Sequence, residues 1–155
     1  MTDLSDLLTP DAVISSLAAN NKKTLFQQLG SVAARVYGLD ARLVTERLAE
    51  REKLGSTGFG GAVAIPHGKL EELRQVVGVF AQLEKPVDFA AVDELPVDLV
   101  FVLLSPASAG AEHLKALARV SRRLRDRGFA AKLRGAGSPD ALYALLTGVE
   151  ARDAA

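Results

Sequence analysis

Two runs rich in β-branched residues, 76–83 and 97–104, constrain the fold more than any other feature of the chain. Turn residues bound both runs, which is typical of β-strands. The second run is apolar at nearly every position, so it is predicted to lie centrally in a sheet that is covered on both faces. The sequence therefore predicts an α/β fold, in which helices cover both faces of a mixed sheet as a three-layer α/β/α sandwich.

Apolar residues recur at helical spacing in several further segments. The helices predicted from this spacing cover 22–37, 41–53, 110–127, 129–134 and 139–147. Asn20 or Asn21, Asp40 and Ser138 stand where N-caps are expected. A short strand is predicted at 12–18, and residues 149–155 are expected to fray.

The long helix 110–127 is predicted to stop at Gly128, because glycine is unfavourable inside a helix. Its predicted inward face comprises Leu114, Leu117, Ala118, Ser121 and Leu124.

Composition excludes several classes of function. The 155 residues include 19 basic and 19 acidic side chains, so global charge does not indicate a nucleic-acid partner. The absence of cysteine excludes disulfides and thiol catalysis. No apolar stretch reaches the roughly 20 residues of a membrane span, and the start of the chain does not resemble a signal peptide. We expect one cytoplasmic domain over 1–155, with its core at about 7–148.

Segment 55–61 contains four glycines in seven residues and is predicted to be a loop with unusual backbone angles. Its N–H groups could cradle an anion. The short apolar strand 62–65 follows, and Pro66 is expected to end it and to place His67 on a turn at the rim of the sheet. A neutral imidazole beside an anion cradle is a good phosphoryl acceptor. The alternative is a structural histidine in a tight turn.

Three further residues suit the same chemistry. His113, near the start of the long helix, could donate to a phosphoryl oxygen or could be a surface residue. Arg51 precedes the glycine loop, and its planar guanidinium suits the charge of a phosphoryl group in transfer, although it could also be a solvated helix-end cation. Lys69 is either a phosphate contact or a surface charge.

Other site types lack their sequence signatures. The glycine loop has no Gly-Lys-Ser/Thr ending of a P-loop, and it precedes a strand, unlike the dinucleotide fingerprint. Two distant histidines without cysteine predict no metal site, and no cofactor is expected. Segment 119–134 carries seven basic residues and one acidic residue, which indicates a solvated helix face or a surface for an acidic partner.

The run Arg-Glu-Lys-Leu-Gly-Ser-Thr-Gly-Phe-Gly-Gly-Ala-Val-Ala-Ile-Pro-His-Gly-Lys at 51–69 resembles the active-site segment of type-2 IIA domains of the bacterial phosphotransferase system. These are the mannitol, fructose and nitrogen-regulatory IIA proteins. The run Glu-His-Leu-Lys-Ala-Leu-Ala-Arg-Val-Ser at 112–121 is similar to the second-histidine helix of the same family. The nitrogen-regulatory branch is favoured because no fused transporter or IIB segment is seen, and a sugar-specific IIA component is the alternative.

The resemblance implies a role for each candidate residue. His67 matches the phosphorylated histidine, with Nε2 as the acceptor atom. Arg51 matches the arginine that accompanies the phosphoryl group, and His113 matches the second active-site histidine. Ser56, Thr57 and Gly58 match a phosphate-binding loop, with a weaker claim to a role. Ala62 stands where the family leads us to expect glycine.

The resemblance also implies partners. A histidine phosphocarrier, supplied by enzyme I and phosphoenolpyruvate, would be the donor, and the protein would be a transferase-like component with a phosphohistidine intermediate. Its regulatory targets would belong to potassium transport, sensor-kinase or stress-signalling systems. A third hypothesis is a binding module that has lost phosphotransfer.

Overall fold

The computed structural model describes residues 4–148. Its strands are β1 (Val13–Leu17), β2 (Gly58–Gly60), β3 (Val63–Ala64), β4 (His67–Leu70), β5 (Val77–Val87) and β6 (Val97–Pro106). Its helices are α1 (Lys22–Tyr37), α2 (Ala41–Lys53), α3 (Ala111–Arg125), α4 (Arg127–Gly135) and α5 (Pro139–Thr147). The frayed end predicted at 149–155 lies outside the described residues.

The strands form one mixed sheet in the order β1-β5-β6-β3-β2, and β4 also pairs with β6, beyond the end of β3. β1 is parallel to β5, β3 and β4 are parallel to β6, and the β5–β6 and β2–β3 pairs are antiparallel. Eight of the ten residues of β6 are buried, which confirms the central strand expected from its apolar run. The predicted α/β/α fold is confirmed, since α1 and α2 contact β5 and β4, while α3 and α5 contact β6 and β1.

Three helices, α1, α2 and α5, have the bounds that the sequence predicts. The Asn21 side chain accepts a hydrogen bond from Thr24 N at 2.8 Å, and Ser138 Oγ accepts one from Ala141 N at 3.1 Å. Asp40 caps α2 in the same way. Within residues 4–148, no helix has both the length and the apolar character that crossing a membrane requires.

The prediction of a turn at His67 was wrong, because Pro66 interrupts the extended segment without ending it. Proline has no N–H to donate, but Pro66 O still accepts a hydrogen bond from Leu103 N at 3.0 Å. The chain therefore continues along β6, with His67 opposite Leu103 at the start of β4. Part of the glycine loop is also a strand, since residues 58–60 pair with β3.

The prediction for the long helix was wrong at its end and in its inward face. α3 ends at Arg125, Asp126 caps α4, and Gly128 lies inside α4. The buried residues of α3 are His113, Ala116, Val120 and Leu124, whereas Leu114 is 65% exposed. The inward face is rotated from its predicted position because His113, counted as polar, is buried with a hydrogen-bond partner.

Ala62 has a φ of 65°, in the left-handed region where a Cβ is costly. We expect Ala62→Gly to raise the free energy of unfolding by about 0.5 kcal/mol, because relief of this strain exceeds the added entropy of the unfolded chain. Urea unfolding measures the change. Ala64→Gly in β3 is the matched control and should lower the free energy by about 1 kcal/mol. Equal losses in both variants would contradict this account.

Candidate active site

His67 lies at the start of β4 with both ring nitrogens engaged. Nδ1 is 2.8 Å from the carbonyl oxygen of Ile65. A carbonyl oxygen only accepts, so Nδ1 carries the proton and Nε2 carries the lone pair. Arg51 Nε donates to Nε2 at 3.2 Å. The backbone of β3–β4 therefore determines which nitrogen can act as a nucleophile.

Arg51 is held in place from the last turn of α2. Its Nη1 donates to Gly55 O at 2.8 Å while its Nε contacts His67. α2 packs closely on β4, since a Cβ added at Gly68 would stand 3.1 Å from Arg47 Cβ. The glycine beside His67 thus permits the approach that brings the Arg51 guanidinium onto the imidazole.

His113 approaches His67 from α3. The two ring centroids are 5.4 Å apart, with an interplanar angle of 52°. Ser105 Oγ lies 2.6 Å from His113 Nδ1, and the Ser105 side chain is fully buried. The structure therefore brings together His67, Arg51 and His113, which come from three separate elements. Sequence reasoning missed Ser105, for which the only signal was a polar residue closing an apolar strand.

Both imidazoles have pKa values below the ordinary value for histidine. Burial is the main cause for His67, and the positive charge of Arg51 adds to it, while the Ile65 hydrogen bond and the Glu52 charge oppose it. Burial also lowers the pKa of His113, with further contributions from His67 and Lys69. Both rings are therefore neutral at pH 7, and Nε2 of His67 keeps its lone pair.

We expect both histidines to titrate below pH 6.5, the ordinary histidine value. The rate of any reaction that uses the Nε2 lone pair should stay level down to that pH and fall below it, because protonation removes the lone pair. NMR titration of the imidazole signals measures this. Each single-histidine variant leaves one ring for assignment, since the chain has two histidines. A pKa of His67 above 6.5 would contradict the burial argument.

The hydrogen-bonding groups of the glycine loop are engaged within the chain. Thr57 N and Oγ1 donate to the Glu52 carboxylate at 3.0 and 2.6 Å. Ser56 Oγ donates to Phe89 O at 2.6 Å and accepts from Gly58 N at 3.1 Å. These bonds fix the loop whose Gly55 carbonyl accepts a hydrogen bond from Arg51. The phosphate-binding role of Ser56, Thr57 and Gly58 stays a prediction.

The basic segment 119–134 does not form one free face. Arg119 pairs with Asp6, and Arg134 pairs with Asp98 at 2.8 Å. The Arg123 guanidinium stacks 3.5 Å from the Phe129 ring centroid. These three of the seven basic side chains are therefore engaged in contacts within the chain. Within residues 4–148, no group of three or more His, Cys, Asp or Glu residues could hold a metal ion.

Comparisons with known proteins identify the family of the chain. Residues 6–149 match the family described as "Phosphoenolpyruvate-dependent sugar phosphotransferase system, EIIA 2". A nitrogen regulatory protein from Bradyrhizobium diazoefficiens is 50% identical over 92% of this chain and 94% of that protein. The nitrogen regulatory protein of Escherichia coli K12 is 43% identical over 95% of this chain and 91% of that protein.

Solved structures share the fold. The nitrogen regulatory protein IIA-Ntr of Neisseria meningitidis superposes with a TM-score of 0.86 at 36% identity, covering 92% of this chain and 97% of that one. IIA mannitol from E. coli superposes with a TM-score of 0.76 at 22% identity over 90% of this chain and 98% of that one, which shows a common fold. The chain belongs to the EIIA 2 family of the phosphoenolpyruvate-dependent phosphotransferase system, in its nitrogen regulatory branch.

Proposed function

We propose that this protein is a regulatory phosphoryl carrier that accepts a phosphoryl group on Nε2 of His67. One observation supports this most directly. The ring is neutral, its Nδ1 proton is held by Ile65 O, and its Nε2 meets the Arg51 guanidinium. This is the geometry of an activated imidazole nucleophile beside a cation that can stabilise charge in transfer.

The reaction needs little covalent assistance from the protein. The Nε2 lone pair forms the new N–P bond as the P–N bond of the donor phosphohistidine breaks, and the electron pair of that bond returns to the donor imidazole. The Nδ1 proton stays on the ring. Arg51 must move its Nε–H from the His67 lone pair to a phosphoryl oxygen, and its bond to Gly55 O keeps the guanidinium nearby during this shift.

The donor that we propose is a cytoplasmic histidine phosphocarrier that enzyme I loads from phosphoenolpyruvate. A protein donor fits the surroundings of the site, because an exposed leucine lies at the end of α2 and another lies on α3. Leu54 is 85% exposed at the end of α2, and Leu114 is 65% exposed next to His113. Apolar side chains exposed around a polar site are typical of a surface that docks another protein.

The proposed output is regulatory. A phosphoryl group adds about 1.5–2 negative charges at neutral pH, and this changes which partners can dock without any change of fold. The relatives at 43–50% identity carry the name nitrogen regulatory protein, which supports partner control as the output. The targets that we propose belong to potassium transport, sensor-kinase or stress-signalling systems.

Labelling tests the proposal. The full chain is mixed with phosphoenolpyruvate, enzyme I and the histidine phosphocarrier of the same organism, and intact mass spectrometry follows. We expect the gain of one acid-labile phosphoryl group. If active donors leave the protein unlabelled, the carrier function is wrong, and the binding-module hypothesis takes its place.

A sugar-specific role is the second candidate. A fructose-specific EIIA component from Haloferax volcanii is 36% identical over 76% of this chain. Such a component would pass its phosphoryl group to a IIB domain. The labelled protein should therefore be mixed with IIB domains of the same organism, and we expect no transfer. Rapid transfer to one of them would establish the sugar-specific role instead.

A further inference from the structure

A buried hydroxyl contacts the second histidine of the site. Ser105 closes the apolar run of β6 and is fully buried, and His113 is 7% exposed. Ser105 Oγ and His113 Nδ1 are 2.6 Å apart, which is a short hydrogen bond. Within residues 4–148, neither Ser105 Oγ nor His113 Nε2 makes another hydrogen bond. The direction of this single bond therefore decides where the His113 proton lies.

The two directions of the bond are not equivalent. If Nδ1–H donated to Ser105 Oγ, the buried hydroxyl proton would have no acceptor, and an unsatisfied buried donor is costly. If the hydroxyl donates to Nδ1, the hydroxyl proton and the ring nitrogen are both satisfied. A neutral imidazole carries one proton, so this proton must then lie on Nε2.

We propose that Ser105 is a positioning residue that holds His113 as the Nε2–H tautomer, so that His113 presents a hydrogen-bond donor to the phosphoryl group on His67. Nε2 lies on the opposite side of the ring from Ser105, and the His67 ring centroid is 5.4 Å from that of His113. This inference rests on the proposed carrier function and specifies how the second histidine serves it.

A hydroxyl suits this position better than a carboxylate. A buried carboxylate at Nδ1 would hold His113 as an imidazolium and bind the phosphoryl dianion more tightly. The Ser105 hydroxyl is instead a neutral donor to His113 Nδ1, so His113 stays neutral. If His113 becomes protonated, the hydroxyl can accept a hydrogen bond from Nδ1. The bound phosphoryl group can therefore return readily to the phosphocarrier.

The tautomer can be measured without any phosphoryl donor. Nitrogen-15 NMR of the unphosphorylated full-length protein at pH 7.5 distinguishes a protonated ring nitrogen from an accepting one. We expect Nε2 of His113 to be protonated and Nδ1 to accept a hydrogen bond, and we expect the opposite arrangement for His67. A protonated Nδ1 in His113 would overturn the proposal whether or not His67 can be phosphorylated.

The contribution to transfer is tested with Ser105→Ala. We expect a mixture of His113 tautomers and a roughly tenfold slower transfer from the phosphocarrier to His67, which corresponds to one hydrogen bond to a charged group. Thr147→Val is the matched control, because Thr147 is also buried and its hydroxyl donates to Tyr143 O on α5. This control should keep the wild-type tautomer and rate.

The conservative variant Ser105→Thr keeps a hydroxyl and should restore the Nε2–H tautomer and most of the rate. It also provides the test if Ser105→Ala does not fold. An unchanged tautomer and rate in Ser105→Ala, or a mixed tautomer in a folded Ser105→Thr protein, would overturn the role assigned to Ser105. If the wild-type chain accepts no phosphoryl group but shows the expected tautomer, the carrier function fails while the proton assignment stands.

Discussion

His67→Ala is expected to lower the labelling rate of the protein by roughly three orders of magnitude or more, so that no phosphorylated protein is detected. The reason is that the variant lacks the nucleophilic atom, and the chain offers one other imidazole. That imidazole, on His113, is engaged by Ser105 at Nδ1 and carries its proton on Nε2 in our assignment. Labelling with phosphoenolpyruvate, enzyme I and the phosphocarrier, followed by intact mass, measures the loss.

His113→Ala is the matched control for this result. It removes an imidazole from the same site but keeps the His67 nucleophile, so it should still be labelled, at a reduced rate. Circular dichroism and urea unfolding should show both variants folded, because His67 makes one hydrogen bond to the backbone and His113 makes one to Ser105, and neither belongs to the hydrophobic core. A phosphoryl group on folded His67→Ala would contradict the assignment of His67 as the acceptor. Normal labelling of His67→Ala together with no labelling of His113→Ala would show that His113 is the acceptor.

Arg51→Lys is expected to slow transfer to His67 by roughly a hundredfold. Arg51 makes two directed bonds from one rigid plane, with Nε on His67 and Nη1 on Gly55 O. The lysine ammonium has the charge but not the planar arrangement of donors, so it cannot hold the loop carbonyl and reach the phosphoryl oxygens in the same way. Stopped-flow or quenched-flow measurement of transfer from the labelled phosphocarrier gives the rate.

Arg47→Lys is the control for the charge and length of the substituted side chain. Arg47 lies one turn earlier on α2 and forms an ion pair with Glu50 at 3.4 Å. This control should transfer at the wild-type rate. Equal rates for Arg51→Lys and Arg47→Lys would show that a positive charge near His67 is sufficient and that the geometry of the guanidinium is not needed.

Local sequence signals were accurate where the deciding interactions are local. The caps at Asn21, Asp40 and Ser138 are confirmed because each side chain bonds to a backbone N–H two or three residues away. The central position of β6 is confirmed because a strand without a polar face must be covered on both sides. The family resemblance is also confirmed, since it depended on two long runs of residues at a characteristic spacing.

Predictions were wrong where a hydrogen bond that the sequence pattern does not show changed the outcome. Pro66 locally predicts the end of a strand, but the edge of β6 was available to pair with His67 and the residues after it. Gly128 locally predicts a break, but Asp126 caps α4 first and places the glycine inside the helix. The inward face of α3 was misplaced because the sequence does not show that Ser105 would meet His113.

The sequence by itself determined the fold class and the family, and it pointed to the three side chains of the candidate site, because apolar patterning and motif spacing are properties of the chain. Only the tertiary structure decided which hydrogen bonds those side chains make. The Ile65 carbonyl directs the lone pair of His67 to Nε2, Arg51 meets that atom at 3.2 Å, and Ser105 engages Nδ1 of His113. A hydrogen bond depends on differences of a few tenths of an ångström, and only the packed sheet and helices set such distances, even between residues that are near in sequence.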